Sequence, residues 1–134
     1  MNITTRQAKT LVAAAENKAT EIGVPVSIVM LDAGGHLKAF SRMDGAFLAS
    51  IDVAMRKAKT AVLLETSSEN VWDFCKPGGP AEGVQLTNGG MVTFGGGIPL
   101  KAADGQMLGA IGISGGTVPQ DQEIAKTTLD AFVA

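Results

Sequence analysis

Residues 94–117 read FGGGIPLKAADGQMLGAIGISGGT and contain nearly half of the chain's 17 glycines. Asp104-Gly105 lies between two apolar runs, and both residues tolerate the positive φ that a tight hairpin turn requires. The stretch therefore predicts two adjacent antiparallel strands, Ile98–Ala102 and Gln106–Ser114. Repeated glycine inside a strand usually marks a bulge or the close approach of another backbone or a ligand. We expect the second strand to be central to the fold.

Length and composition are those of one globular domain. The chain has 134 residues, of which 46% are hydrophobic and 18% charged, so we expect a single domain over residues 1–134 with one core. The formal net charge is −2, aromatic residues make up 4%, and lysine and arginine form no cluster, which argues against nucleic-acid binding. One histidine and one cysteine are too few for an all-protein zinc site, which usually takes about four ligands.

Localisation is predicted from targeting signals and cysteine usage. The first residues have neither the basic start nor the apolar region of a signal peptide, and no apolar run approaches the ~20 residues of a membrane span. The single cysteine, Cys75, excludes an internal disulfide and fits a reducing compartment. The sequence therefore predicts a cytoplasmic protein without a membrane partner.

Capping boxes mark the starts of the first and last helices. Thr4 with Gln7 begins the first helix, and Thr117 with Gln120 begins the last. Asp121 then falls in a first helical turn, where a carboxylate suits the helix dipole.

The second helix is expected to follow Asp44, whose side chain would cap it. Arg56, Lys57 and Lys59 are expected on or beside its solvent faces. A short third helix is predicted around residues 70–74, where Trp72 and Phe74 either belong to the core, the favoured interpretation, or line an apolar pocket. The predicted buried stripe of the second helix consists of Phe47, Ile51, Ala54, Met55, Ala58, Ala61 and Val62.

Five strands are expected in all. Val24–Leu31 and Leu37–Ser41 form a hairpin, Met91–Phe94 is a third strand, and the glycine-rich hairpin adds two more. A strand hairpin, a helical segment and a strand meander predict an α+β fold, in which helices pack on the faces of a five-stranded antiparallel sheet.

Three residues near the first hairpin are candidates for a site. His36, the only histidine, is a ligand to haem iron, a general base or a solvent-exposed turn residue. Arg42 either holds a carboxylate or propionate by two hydrogen bonds or pairs with a neighbouring acid. Asp44 is most simply a helix cap, which leaves room for a site beside it.

A second candidate lies where the glycine-rich strand meets the last helix. The run from Gly109 to Thr117 superficially resembles a phosphate-binding loop, but no βαβ unit surrounds it and Pro119 removes one free amide. Docking of a carboxylate at Gly116 and Thr117 and dense packing of a glycine strand both stay open. The residues by themselves predict a ligand-sized, glycine-rich site without a readable reaction.

Several motifs together resemble one known family. They are DAGGHL (32–37), RMDGA (42–46), AMRKAKTA (54–61), GGGIPL (95–100) and GAIGISGGT (109–117). Their order and spacing resemble the GlcG/HbpS family, also called the haem-degrading domain family, over essentially the whole chain. The chain is also similar to the C-terminal domain of PduO-type corrinoid adenosyltransferases. Residues 83–88 resemble stand-alone members found near B12-dependent diol or glycerol dehydratases.

The resemblance implies a profilin-like five-stranded sheet and a homo-oligomer, from a dimer up to an octamer. It also implies binding of haem or another tetrapyrrole at a subunit interface. His36 would be the iron ligand and Arg42 or Lys59 would meet the propionates. The apolar walls would be Met43, Phe47 and Phe94.

Two other functions stay open at this point. In the first, the protein is an enzyme acting on a small organic acid. Arg42, Gly116 and Thr117 would then bind the carboxylate, and His36 or Asp44 would be the general base. In the second, it is an accessory protein of a B12-dependent diol or glycerol dehydratase system. The sequence does not decide whether any reaction is catalysed.

Overall fold

The computed structural model describes residues 1–133, which form four helices and four strands. Each of these helices is too short or too polar to cross a lipid bilayer. The helices are α1 (Thr5–Glu21), α2 (Ala49–Leu64), the single-turn α3 (Trp72–Cys75) and α4 (Val118–Asp130). The strands are β1 (Ser27–Asp32), β2 (Leu37–Arg42), β3 (Gly97–Lys101) and β4 (Met107–Ser114). Two short 3₁₀ helices, Ser68–Asn70 and Val84–Leu86, lie between α2 and β3.

The strands form one antiparallel sheet in the order β2-β1-β4-β3. The glycine-rich hairpin is confirmed as β3 and β4, and β4 is central. Strands β2 and β3 are the two edges, and β3 carries Pro99, a residue that sheets confine to edge strands and bulges. In register, Ser27 of β1 pairs with Arg42 of β2 on one side and with Ser114 of β4 on the other.

The expected third strand, Met91–Phe94, is wrong, and the sheet has four strands instead of five. Side chains take the place of a neighbouring strand in this segment. The Thr60 hydroxyl donates to the carbonyl of Val92 at 2.9 Å, and the Ser68 hydroxyl donates to that of Phe94 at 2.6 Å. Because α2 and a 3₁₀ turn supply these donors, the segment crosses the structure as irregular chain.

Alternating residues of β1 and β4 divide the core into two layers. Helices α1 and α4 pack on one face of the sheet, and α2 packs on the other against β1, β3 and β4. The α1–α4 layer includes Leu11, Ile28, Met30, Ile111, Ile113 and Ile124. The α2 layer consists of Val29, Leu31, Ala54, Ala58, Ala61, Val62 and Ala110.

Glycine in β3 and β4 allows α2 to lie close to the sheet. A Cβ built on Gly112 would overlap the carbonyl oxygen of Ala54 and lie 2.9 Å from the Cβ of Ala58. A Cβ on Gly97, which pairs with Gly112, would overlap the carbonyl oxygen of Lys57. The glycines of these strands therefore make room for the backbone of α2. This agrees with dense packing of the glycine strand, one of the two interpretations left open by the sequence.

We predict that Gly112→Ala lowers the free energy of unfolding by about 3 kcal/mol, because the added methyl group has no space beneath α2. Urea denaturation followed by circular dichroism measures the change. Lys38→Ala is the control, since it changes an exposed residue of the edge strand β2 and should alter stability by no more than about 0.5 kcal/mol. Equal stability of Gly112→Ala and the wild type would contradict the close packing of α2.

Candidate functional site

His36 lies in the turn between β1 and β2, where Asp32 organises the backbone. One carboxylate oxygen, Oδ1 of Asp32, accepts hydrogen bonds from the amides of Gly34 and His36, both at 2.9 Å. The bond from the His36 amide lowers the pKa of the Asp32 carboxyl, which therefore stays charged. The same oxygen lies 3.4 Å from Nδ1 of His36, whose side chain is 81% exposed. The imidazole thus has a carboxylate at Nδ1, and Nε2 is the nitrogen left for a ligand.

Arg42 lies at the opposite end of the same strand from His36. It pairs with Ser27, whereas Leu37, next to His36, pairs with Leu31. Six residues of strand at about 3.3 Å each separate the two backbones by roughly 20 Å. Within one chain, the structure does not bring His36 and Arg42 together.

Asp44 does not cap α2, so that expectation is wrong. The turn at residues 43–46 contains Gly45 at a φ of +88°, and the amide of Ala46 donates to Met43 at 3.1 Å. The helix begins only at Ala49, beyond this turn, and within residues 1–133 no side chain forms a capping hydrogen bond at its start.

The amides of Gly116 and Thr117 already have acceptors within α4. Gly116 donates to Oδ1 of Asp121, and Thr117 donates to Oε1 of Gln120, both at 2.9 Å. The predicted capping box of Thr117 and Gln120 is thereby confirmed. A carboxylate ligand at these two amides would have to displace side chains of the chain itself.

The face of β2 on the α2 side is uncovered, because α2 lies over the other three strands. Phe40 pairs with Val29, a residue of the α2 layer, yet Phe40 is exposed, as is Leu37. Two more exposed apolar residues, Phe47 at 73% and Leu48 at 74%, immediately precede α2. The expected burial of Phe47 is therefore wrong, since the residue precedes the helix instead of belonging to its buried stripe.

A cavity of about 350 Å³ lies between the His36 turn and α2. Its positive charges are Arg56 and Lys59. Nε of Arg56 donates to Asp52 at 2.8 Å, and Nη1 donates to the carbonyls of Gly90, at 3.0 Å, and Gly89. The Lys59 ammonium donates to the carbonyl of Asn88. The cavity is lined by Leu31, Gly35, Asp52, Met55, Arg56, Lys59 and Gly89.

A buried ion pair was missed by the sequence interpretation. The Lys57 ammonium, fully buried, donates to Oδ2 of Asp121 at 2.9 Å and to the carbonyl of Ile113 at 2.8 Å. It also lies 5.1 Å from the ring centroid of Phe94. Burial lowers the pKa of Lys57, and the hydrogen bond and charge of Asp121 oppose that shift.

The signal for this pair was helical spacing. Lys57 falls on the same stripe as Ala54, Ala58 and Ala61, so α2 turns it towards the sheet. The expectation that Lys57 lies on a solvent face is therefore wrong, and Asp121 does more than complement the helix dipole.

Trp72 and Phe74 are exposed, so their expected place in the core is wrong. Trp72, Phe94 and Glu69 line a surface cavity of about 440 Å³, and Phe74 lines another of about 370 Å³ with Leu64. Phe94 lies three residues before β3, one edge strand of the sheet, whereas His36 immediately precedes β2 at the opposite edge. The candidate residues thus form several surfaces of one chain and not a single pocket.

These features define a small α+β domain with an antiparallel sheet, in which a histidine turn lies beside an edge strand with exposed apolar residues. The chain belongs to the family described as haem-degrading protein HbpS-like, whose profile matches residues 3–130.

Three known proteins are similar to this chain over most of its length. A 15.0 kDa Citrobacter freundii protein from the dhaT-dhaS intergenic region is 44% identical over 97% of this chain and 92% of its own length. The corrinoid adenosyltransferase PduO of the same organism is 39% identical over 98% of this chain, and the match spans 39% of that protein. A crystal structure of a PduOC:heme complex has a TM-score of 0.92 at 36% identity, covering 98% of this chain and 96% of the other.

We predict that Asp121→Asn lowers the free energy of unfolding by about 3–5 kcal/mol, because it leaves the Lys57 charge buried without its partner. Adding Lys57→Met removes that charge, so the double variant should be more stable than Asp121→Asn alone. Denaturant titrations measure both. Asp73→Asn, which breaks the exposed pair with Lys76, is the control and should change stability little.

The stability of Asp121→Asn should also depend on pH. Without Asp121, the pKa of Lys57 in the folded state falls further below the ordinary lysine value of 10.5. The unfolded chain then binds more protons than the folded one between these two values, so stability rises with pH across that interval. A pH-independent difference from the wild type would contradict a charged Lys57 in the core.

Proposed function

We propose that this protein binds haem or another tetrapyrrole, with Nε2 of His36 as the ligand to iron. The observation that carries the proposal is the exposed imidazole with the Asp32 carboxylate 3.4 Å from Nδ1. Histidines that ligate metals usually donate their second ring N–H to a carboxylate or carbonyl, which fixes the ring and makes the ligand more basic, and Asp32 is the carboxylate within reach of Nδ1 for this bond. Family membership and the likeness to a heme-bound structure support the same ligand.

The surroundings of His36 suit a flat, largely apolar macrocycle with acidic side chains. Leu37 and Phe40 offer apolar contact on the uncovered strand, and Arg56 and Lys59 offer positive charge in the adjoining cavity. Charge-assisted hydrogen bonds to these cations would hold propionates. A bound haem supplies iron redox chemistry, including reaction with peroxide, while the protein sets ligation and access.

We further propose that the site is completed by a second copy in a cytoplasmic homo-oligomer of two to eight chains. His36 and Lys59 lie apart from Arg42, Met43 and Asp44 in one chain, so one ligand reaches both sets only at a subunit interface. The exposed pair Phe47 and Leu48, five and six residues after Arg42 in the chain, supports such an interface. A cytoplasmic location is supported by the buried free thiol of Cys75.

A haem titration tests the ligand. We expect a Soret shift with the wild-type protein and an affinity several-fold weaker for His36→Ala, because the iron loses its axial nitrogen. Lys38→Ala is the control, since it changes an exposed residue of the same strand. An unchanged spectrum and affinity in His36→Ala would remove His36 from this role.

Light scattering coupled to size exclusion tests the assembly. We expect Phe47→Asp with Leu48→Asp to lower the mass of the wild-type oligomer, because two charges would replace apolar contact. Leu86→Asp is matched in exposure but lies in the 3₁₀ helix Val84–Leu86, and it should leave the mass unchanged. A monomeric wild type, or one mass for all three proteins, would contradict the interface.

A role in a corrinoid system is a second candidate, favoured by the 39% identity to a corrinoid adenosyltransferase. A corrinoid is itself a modified tetrapyrrole, so aquacobalamin in place of haem in the same titration separates the two candidates. Tighter binding of the corrinoid would favour the second. Catalysis on a small organic acid has less support, because the amides of Gly116 and Thr117 are bonded within α4.

A further inference from the structure

We infer that Arg56 and Lys59 form a carboxylate-binding site in which the carbonyls of residues 88–90 stand in for the ligand's oxygens. The inference rests on the proposed function, since it assigns the residues that receive an acidic arm of the ligand. The ligand class is a carboxylate on a short hydrocarbon arm, whether attached to a macrocycle or free.

The two cations converge on three consecutive carbonyl groups. Nη1 of Arg56 donates to Gly89 and Gly90, and Nζ of Lys59 donates to Asn88. A carbonyl is a neutral acceptor, whereas a carboxylate adds the Coulomb attraction of a full negative charge and can accept two parallel hydrogen bonds from a guanidinium. A ligand carboxylate would therefore compete effectively for the same hydrogens.

The charges of the cavity favour one added negative charge. Asp52 is the acidic residue of its lining, and its Oδ2 accepts from Nε of Arg56. Among the ion pairs of residues 1–133, Arg56 has this partner and Lys59 has none. Two cations and one carboxylate leave a net charge of about +1 in the cavity.

The size and lining of the cavity define the rest of the ligand. Leu31 and Met55 supply apolar surface beside the cations, within a volume of about 350 Å³. This space holds a short hydrocarbon arm more readily than a whole macrocycle. The cavity also reaches Gly35, one residue from His36, so an arm in it and an iron at His36 can belong to one molecule.

Ligand binding should make residues 88–90 more mobile, because their carbonyls now accept hydrogen bonds from Arg56 and Lys59. Asn88, Gly89 and Gly90 have φ angles of +54°, +77° and +96°, which the chain adopts while its carbonyls bond to Arg56 and Lys59. Exchange of these bonds for a ligand carboxylate frees the three carbonyls to solvent. Amide hydrogen exchange at residues 88–91 should then become faster.

The test compares haem with haem dimethyl ester, in which both propionates are blocked. Arg56→Gln and Lys59→Gln should each weaken haem binding about tenfold while binding of the ester stays unchanged. Lys101→Gln is the matched control, because Lys101 donates to the carbonyl of Glu65, another residue with positive φ, away from this cavity. Haem, but not the ester, should speed hydrogen exchange at residues 88–91.

Equal losses for haem and ester, or no loss for haem, would overturn the site. A failure of the proposed function gives a different result, because haem would then produce no Soret shift that depends on His36. In that case free propionate at millimolar concentration decides, with the amide resonances of Gly89 and Gly90 as the readout. A shift in the wild type that Arg56→Gln abolishes supports the site, and an unchanged spectrum overturns it.

Discussion

The buried ammonium of Lys57 is the point on which the rest of the structure depends. It joins the end of β4 through Ile113 to the first turn of α4 through Asp121, from its own place on α2. The second oxygen of Asp121 accepts the amide of Gly116, so the turn between β4 and α4 is fixed by the same carboxylate. A charge without a partner at this depth would be very costly, and the geometry of three elements is therefore coupled at one group.

Glycine makes this arrangement possible and also determines where the surface stays open. Because Gly97 and Gly112 let α2 approach β3 and β4 closely, the helix lies over β4 and reaches β1 on one side and β3 on the other. The strand farthest from it, β2, keeps an uncovered face with Leu37 and Phe40. The dense packing under α2 and the exposed strand beside His36 both result from the position of this helix. The candidate site lies next to β2, the strand that α2 leaves uncovered.

Local signals predicted much of the fold. The Asp-Gly hairpin and both capping boxes formed as expected, because each depends on residues close together in sequence. The errors have a common physical origin in partners distant along the chain. Met91–Phe94 has the composition of a strand, but donors from Thr60 and Ser68 satisfy its carbonyls. The charge of Lys57 suggests a solvent face, whereas its position on the helix turns it towards the sheet, and Arg56 donates to a carbonyl more than thirty residues away.

The two edge strands of the sheet differ in their ability to pair with a further strand. On β3, Pro99 has no N–H to offer an incoming strand, whereas β2 contains no proline and is guarded only by the charges of Lys38 and Arg42. If two copies paired through the edges of their sheets, both would have to use β2. That pairing would leave each copy with no further edge strand able to pair. Growth by strand addition would therefore stop at a closed pair and would not continue into a filament.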